Sequence, residues 1–535
     1  MGELLVSLLR FSFLGSYNSQ VKFRRSSGIL LHPTSLPGRF GIGDLGPEAF
    51  QFVDFLHATK QSYWQLLPLG PTGYGDSPYQ TFSAFAGNPL LISLERLLSS
   101  GLLSQLDLQD MPVWSSSRVD FGAIKSWKLP LLVKAFEIFR VHASTSQRDL
   151  FHAFCANNAF WLDDFALFMA VKQAHGGNGW NEWEPAIARR DVTAVESWRE
   201  KLAGEIESEK FSQFLFFHQW QELKQYGHDR SVKIMGDIPI FVSRDSSDVW
   251  AHPELFHLDQ EGNPTVVAGV PPDYFSTTGQ LWGNPLYRWE VMGATHYQWW
   301  LERFRTSLKL FDVFRLDHFR GFEAYWEIPA SEKTAVNGRW VKGPGAALFD
   351  AMRGSLGELP IVAENLGVIT PEVVELMEQY HFPGMAVLQF AFNGASPTSS
   401  FLPHNYIRNQ LVYTGTHDNN TTLGWWTDTG AEETTRSLEE IREEHEFVLK
   451  YLATDETEIH WKMIRAVLGS VADLAIIPLQ DYLGLGGEAR MNFPSKAEGN
   501  WRWRYSRELI TPQIIDRIRE MTLLYGRAPE QESPS

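Results

Sequence analysis

The sequence predicts a closed (β/α)₈ barrel with large, mostly helical insertions in the strand-to-helix loops of one face. Three observations predict it: eight short apolar runs bounded by turn residues, amphipathic patterns after most of them, and two long interruptions of that alternation. Buried parallel strands are near-continuously hydrophobic, and repeated strand–helix alternation is how a parallel sheet closes on itself.

The candidate strands are GILLHP (28–33), YWQLLPLG (63–70), VKIMGDIPIF (232–241), FDVFRLDHF (311–319), PIVAENLG (360–367), GMAVLQFAF (384–392), LVYTGTHD (411–418) and LAIIPLQD (474–481). Residues 46–60 follow the first with Phe50, Val53 and Leu56 at helical spacing, and 371–380 follow the fifth with Val374 and Met377 placed likewise. About 160 residues separate the second run from the third, with helical stretches LPLLVKAFEIF (129–139) and FWLDDFALFMAV (160–171), and about 70 separate the third from the fourth. Loops in these positions lie on the barrel face that carries the chemistry. They read as subdomains at about 71–231 and 242–310 that wall a cleft, inside one catalytic unit spanning 28–526. Residues 527–535, closing on APEQESPS, read as a disordered tail.

Residues 1–27 read as a variable leader. MGELLVSLLRFSFLG is apolar and NSQVKFRRSS is basic and Ser-rich. A secretory signal puts its charge before the apolar part, whereas here Glu3 leads and the arginines trail; a plastid transit peptide is the second reading. The apolar fraction of 44% and charged fraction of 21% suffice for a large core. A net charge of −17 repels a phosphate backbone, so nucleic acid is excluded as a partner and a neutral ligand fits better. Twenty tryptophans serve a core, and equally a cleft that stacks on sugar rings. Cys155 is the only cysteine, which excludes a disulfide framework and fits a reducing cytoplasm. No apolar run approaches the ~20 residues that span a bilayer, so no membrane partner is expected. Oligomeric state is not legible, and a monomer is the working expectation.

GIGDLG (41–46) matches G-x-G-x-x-G, but HPTSLPGRF intervenes after the strand and the next strand ends in PLGPTG rather than an acidic residue. It reads as a tight turn and helix entry, not a nucleotide loop. Metal and phosphate patterns are missing from the sequence, so no metal and no cofactor are expected.

Carboxylates at strand ends are the positive finding. Asp317 ends the fourth run, Glu364 falls in AENLG at the end of the fifth, and Asp418 closes the seventh. Strand ends of a barrel converge on one rim, so three acids distant in sequence become neighbours. An ion pair or a cap is the bland reading for each, and Arg315 and Arg320 make it credible for Asp317. Taken together, the acids fit glycosyl transfer, where one ionised carboxylate attacks the anomeric carbon and a protonated one releases the leaving oxygen, at about 5–5.5 Å apart for retention. Arg315 shares a strand face with Asp317 by period-2 alternation and would hold it anionic. Glu364 has no cation beside it in sequence, which suits a raised pKa and the acid/base role. Asp418, beside His417, would grip sugar hydroxyls and stabilise the oxocarbenium-like state.

LLHPTSLPG (30–38), YWQLLPLGPTGYGDSPYQTFSAFAGNP (63–89), GDIPIFV (236–242), VVAGVPPDYF (266–275), LWGNPLY (281–287), FRLDHFRGFEAYWEIPA (314–330), LPHNY (402–406), YTGTHDN (413–419) and ARMNFP (489–494) resemble the amylomaltase, or disproportionating enzyme, family of 4-α-glucanotransferases. The resemblance runs from about Gly28 to Arg504. It implies Asp317 as nucleophile, Glu364 as acid/base and Asp418 as transition-state stabiliser, with Arg315 and His417 in support. It further implies sugar contacts from Tyr74, Ser77, Tyr79, Asp237, Trp282 and Asn284, a mobile loop around 266–284, and maltooligosaccharides and α-1,4-glucans as substrates. AENLG departs from the pattern in carrying Asn365 where the family often has Asp.

The same carboxylates serve hydrolases. A walled, aromatic-rich acceptor side that excludes water favours transfer, and VPPDYFSTTGQLWGNP (270–285) is that kind of segment. The expectation is a retaining 4-α-glucanotransferase; an α-amylase-like hydrolase or branching enzyme, and a non-catalytic glucan-binding protein, stay open. A phosphate-binding barrel is disfavoured because the seventh and eighth strands end in THDN and PLQD, without a Gly-rich anion loop.

Overall fold

Eight parallel strands form the centre of the computed structural model, which describes residues 23–272, 276–429, 437–494, 496 and 498–530. The leader up to residue 22, residues 273–275 of the loop and the last five residues of the tail lie outside the described residues. The strands are β1 Ser26–Leu30, β2 Tyr63–Gln65, β3 Lys233–Pro239, β4 Val313–Asp317, β5 Ile361–Ala363, β6 Gly384–Val387, β7 Gln410–Tyr413 and β8 Leu474–Pro478. Their order is β6-β7-β8-β1-β2-β3-β4-β5. Ala363 N donates to Pro383 O at 2.8 Å, bringing β5 to the start of β6 and rounding the sheet into a barrel. Six of the eight strands fall within their apolar runs, and β1 and β7 start two residues and one residue ahead of theirs. Strands covered on both sides by helices and barrel filling have no polar face to show. Close packing sets residue size too: a Cβ on Gly28 would lie 2.5 Å from Tyr63 O.

The barrel sheet begins at Ser26, two residues before the expected Gly28. Ser26 N donates to Asp473 O at 2.8 Å, and the Arg25 guanidinium donates to the carbonyls of Leu468, Ser470, Ala472 and Tyr525. The far end also runs past the expected boundary of 526. Arg527 is fully buried and donates to the carbonyls of Ser26, Leu468, Ser470, Ala472 and Asp473. GIGDLG is a turn and helix entry: Gly46 caps the helix Pro47–Ala58 and donates to Asp44 Oδ1 at 2.9 Å.

The connection after β2 is helical as read, dominated by Phe121–His142, Thr145–Ala174 and Ala203–His228. Phenylalanines join these helices, with Phe139 and Phe211 centroids 4.5 Å apart. The connections after β3 and β4 add something not foreseen, an antiparallel sheet of Gln280–Pro285, Val266–Val270, Ala324–Pro329 and Arg339–Lys342 in that order. Its strands come from both sides of β4, and pairing between distant short segments leaves no local periodicity to detect. The helix Pro371–Gln379 buries Val373, Leu376 and Met377, while Val374 is exposed. The phase of so short a helix is decided by the face that docks. Among the described residues, no helix is long and apolar enough to cross a membrane.

Candidate active site

β4 delivers Arg315 and Asp317 on one side and buries Leu316 completely on the other. Asp317 is the last residue of the strand, and His318 then turns the chain in a left-handed conformation, φ 53°. Leu316 is in register with Ala363 of β5, so the next residue on each strand, Asp317 and Glu364, stand side by side at the rim. The turn also aims a donor. His318 N donates to Glu364 Oε2 at 2.8 Å, and Leu366 N donates to Oε1 at 2.7 Å. The Glu364 carboxyl is thereby fixed at both oxygens by backbone alone.

Behind Asp317 runs a buried polar chain. Arg315 Nη2 donates to Asp317 Oδ1 at 2.7 Å and to Asp237 Oδ2 at 2.7 Å, and Nε donates to the same Asp237 oxygen at 2.9 Å. Tyr79 OH donates to Asp237 Oδ2 at 2.8 Å. Burial alone would lower the Arg315 guanidinium, but the charges of Asp237 and Asp317 overcome it and hold it well above its ordinary range. Burial pushes the Asp237 carboxyl up to about 7, with Arg315 opposing. Glu364 is likewise raised to about 7, by burial first and the charge of Asp317 second, against Arg315 and the two N–H donors. Two carboxyls at one rim thus sit in different fields. Asp317 has a guanidinium on it, and Glu364 does not.

The third acid stands farther from its strand than expected. β7 ends at Tyr413, so His417 and Asp418 belong to the following loop rather than to the strand end. Asp481, just past β8, pins that loop: its carboxylate accepts from Thr414 Oγ1, Thr422 N and Thr422 Oγ1 at 2.5–2.7 Å. Asp418 is half exposed; its Oδ1 accepts from Asn492 Nδ2 at 2.7 Å, and its carbonyl accepts from Arg490 Nη2 at 2.7 Å. His417 Nε2 lies 3.4 Å from Asp418 Oδ2, and burial lowers its pKa.

A cavity of about 1370 Å³ is lined by Asp317, Glu364 and Asp418, and also by Arg315, His417, Tyr74, Ser77, Tyr79, Trp282 and Asn284. Tyr79 stacks on His417 at 5.1 Å, Trp282 meets His318 edge-on at 4.8 Å, and Tyr74 is 77% exposed at the rim. Ser77 Oγ accepts from Tyr79 N at 3.2 Å, and Asn284 Nδ2 donates to Val242 O at 2.9 Å. Asp237 is the exception among the expected site residues: it lies beneath Arg315 and Tyr79, 2% exposed, and does not line the cavity. Sequence reasoning missed His318, Asn492, Arg490 and Trp501, all cavity-lining. Asn492 and Arg490 lie in ARMNFP, whose resemblance was the only signal. Among the described residues no group of three His, Cys, Asp or Glu could hold a metal ion.

Residues 31–510 match the family pattern described as 4-alpha-glucanotransferase. The chain is 50% identical over 508 residues to the 4-alpha-glucanotransferase of Synechocystis sp., covering 94% of this chain and 98% of that one. It is 51% identical over 505 residues to that of Thermus thermophilus, covering 93% and 98%. Among solved structures, the amylomaltase from Streptococcus agalactiae in complex with acarbose superposes with a TM-score of 0.90 at 39% identity, covering 95% of this chain and all of that one.

Proposed function

Because the chain belongs to the 4-α-glucanotransferase family, we propose specific roles in that transfer for its three carboxylates and the residues around them. The enzyme transfers a segment of an α-1,4-glucan to the 4-hydroxyl of glucose or of another α-1,4-glucan, through a covalent glycosyl-enzyme. In our reading Asp317 attacks the anomeric carbon as the bond to the leaving O4 breaks, and Glu364 gives its proton to that oxygen. The acceptor 4-hydroxyl then attacks the same carbon, Glu364 takes its proton back, and the Asp317 ester bond breaks with net retention. The one observation carrying this assignment is the unequal environment of two neighbouring carboxyls: Arg315 on Asp317, and burial with a raised pKa on Glu364.

Asp418, set by Asn492, accepts from sugar hydroxyls and stabilises the oxocarbenium-like transition state. Tyr74, Ser77, Tyr79, Trp282, Asn284 and His417 hold the sugars. Asp237 acts through Arg315 as a positioning residue. Residues 74–80 of the connection after β2 and the antiparallel sheet line the cleft, and in our reading they shield it from water, which favours a sugar acceptor. We also read the lone Cys155 as fitting a cytoplasmic setting.

Incubation of the purified protein with maltotriose tests this. Glucose plus a ladder of longer maltodextrins at constant total reducing ends is expected, and Asp317→Asn should abolish both. Rising reducing ends without a ladder would move the reaction from acceptor sugar to water. An active Asp317→Asn would remove the proposed nucleophile.

A further inference from the structure

Of the 20 tryptophans, Trp340 is the only exposed one, at 41%. It lies on the edge strand Arg339–Lys342 and lines the same cavity as Asp317 and Glu364. Two neighbours fix its indole. Trp326, its direct cross-strand partner, meets it edge-on at 5.1 Å, and the Arg320 guanidinium lies over one face, 3.7 Å from the centroid. Arg320 is held in turn, donating to Ala324 O at 3.3 Å and to Val368 O. Bare indole surface is unfavourable in water and adds to the pairing liability of an edge strand. A ring braced by two neighbours yet open to a sugar-binding cavity is, in contrast, a preorganised stacking surface for the C–H face of a pyranose.

The bracing also indicates which sugar. Val368 follows Glu364 by four residues, and Leu366, Gly367 and Val368 line the cavity with Trp340. Glu364 serves the leaving oxygen, so a surface tied to the segment 364–368 faces the leaving and accepting chain, not the sugar held on Asp317. We infer that Trp340 stacks on a glucose unit of the acceptor beyond the one whose 4-hydroxyl reacts. The stacking predicts tighter binding of oligosaccharide acceptors than of glucose. The inference rests on the assignment of Glu364 as acid/base in the preceding section.

Transfer from soluble starch is measured with glucose or maltotriose as acceptor, for the wild type, Trp340→Ala and Trp340→Phe. Trp340→Ala should raise KM for maltotriose about tenfold, leave KM for glucose within about twofold, and be largely rescued by Phe. Equal changes for both acceptors, a lowered kcat with unchanged KM, a change confined to starch, or no change would each overturn it. The earlier assignment fails differently, through a Glu364→Gln variant that transfers as fast as the wild type.

Discussion

Replacing Glu364 by Gln removes a titration as well as a proton donor, and the two effects have separate signatures. The Glu364 carboxyl moves from 4.5 to about 7 in the folded protein, through burial first and Asp317 second. A group that binds its proton more tightly when folded stabilises the fold below its unfolded pKa, and that contribution is lost as pH rises through the folded pKa. The window is therefore pH 4.5 to about 7. The full displacement corresponds to about 3 kcal/mol at 1.36 kcal/mol per pH unit. Part of the side chain faces the open cavity, and solvent screening there lowers the expected figure to about 1–2 kcal/mol. Gln cannot ionise, nor can its amide accept from both His318 N and Leu366 N; that second loss is the same at every pH. The melting-temperature difference, variant minus wild type, should thus rise by about 1–3 °C between pH 4.5 and pH 8. Calorimetry across that range measures it. Transfer kcat should fall by about 10²–10⁴-fold, and wild-type kcat/KM should decline above about pH 7 as the acid is lost. A signed difference, variant minus wild type, that is flat with pH or that falls as pH rises would refute the reasoning.

Asp237→Asn weakens the charge that holds Arg315, which is 4% exposed, and should destabilise the protein by about 3–5 kcal/mol, read as a lowered melting temperature. Unchanged melting would mean that Asp317 alone compensates the guanidinium. Arg527→Ala removes a buried donor to five carbonyls beside β1 and β8, four of which keep a donor in Arg25 or Ser26 N, and should cost about 1–3 kcal/mol, with faster amide exchange in Ser26–Leu30 and Leu474–Pro478. Unaltered exchange there would show that the C-terminal segment does not brace the barrel.

The family resemblance, the strands and two of the three acids were legible in the sequence for local reasons. A strand buried on both faces must be apolar throughout, so all eight announce themselves, and period-2 alternation puts Arg315 beside Asp317 without any knowledge of the fold. Position at a strand end was enough for Asp317 and Glu364, which lie at or just past the last residues of β4 and β5. It was not enough for Asp418, whose place depends on Asp481 pinning a loop and on Asn492, 74 residues onward. Nor could sequence tell that Asp237 lies under Arg315 rather than in the cavity, that Val373 rather than Val374 faces the core, or that segments on both sides of β4 pair into one sheet. Periodicity and residue type act over a few neighbours and settle what each segment is. Which face docks, which carbonyl finds which donor and which carboxyl loses its water depend on partners brought close only by closing the barrel. Arg315 on Asp317 follows from strand alternation. The burial of Glu364 and the two backbone N–H groups on its carboxyl, the other half of the difference on which the proposed chemistry rests, were decided by tertiary structure.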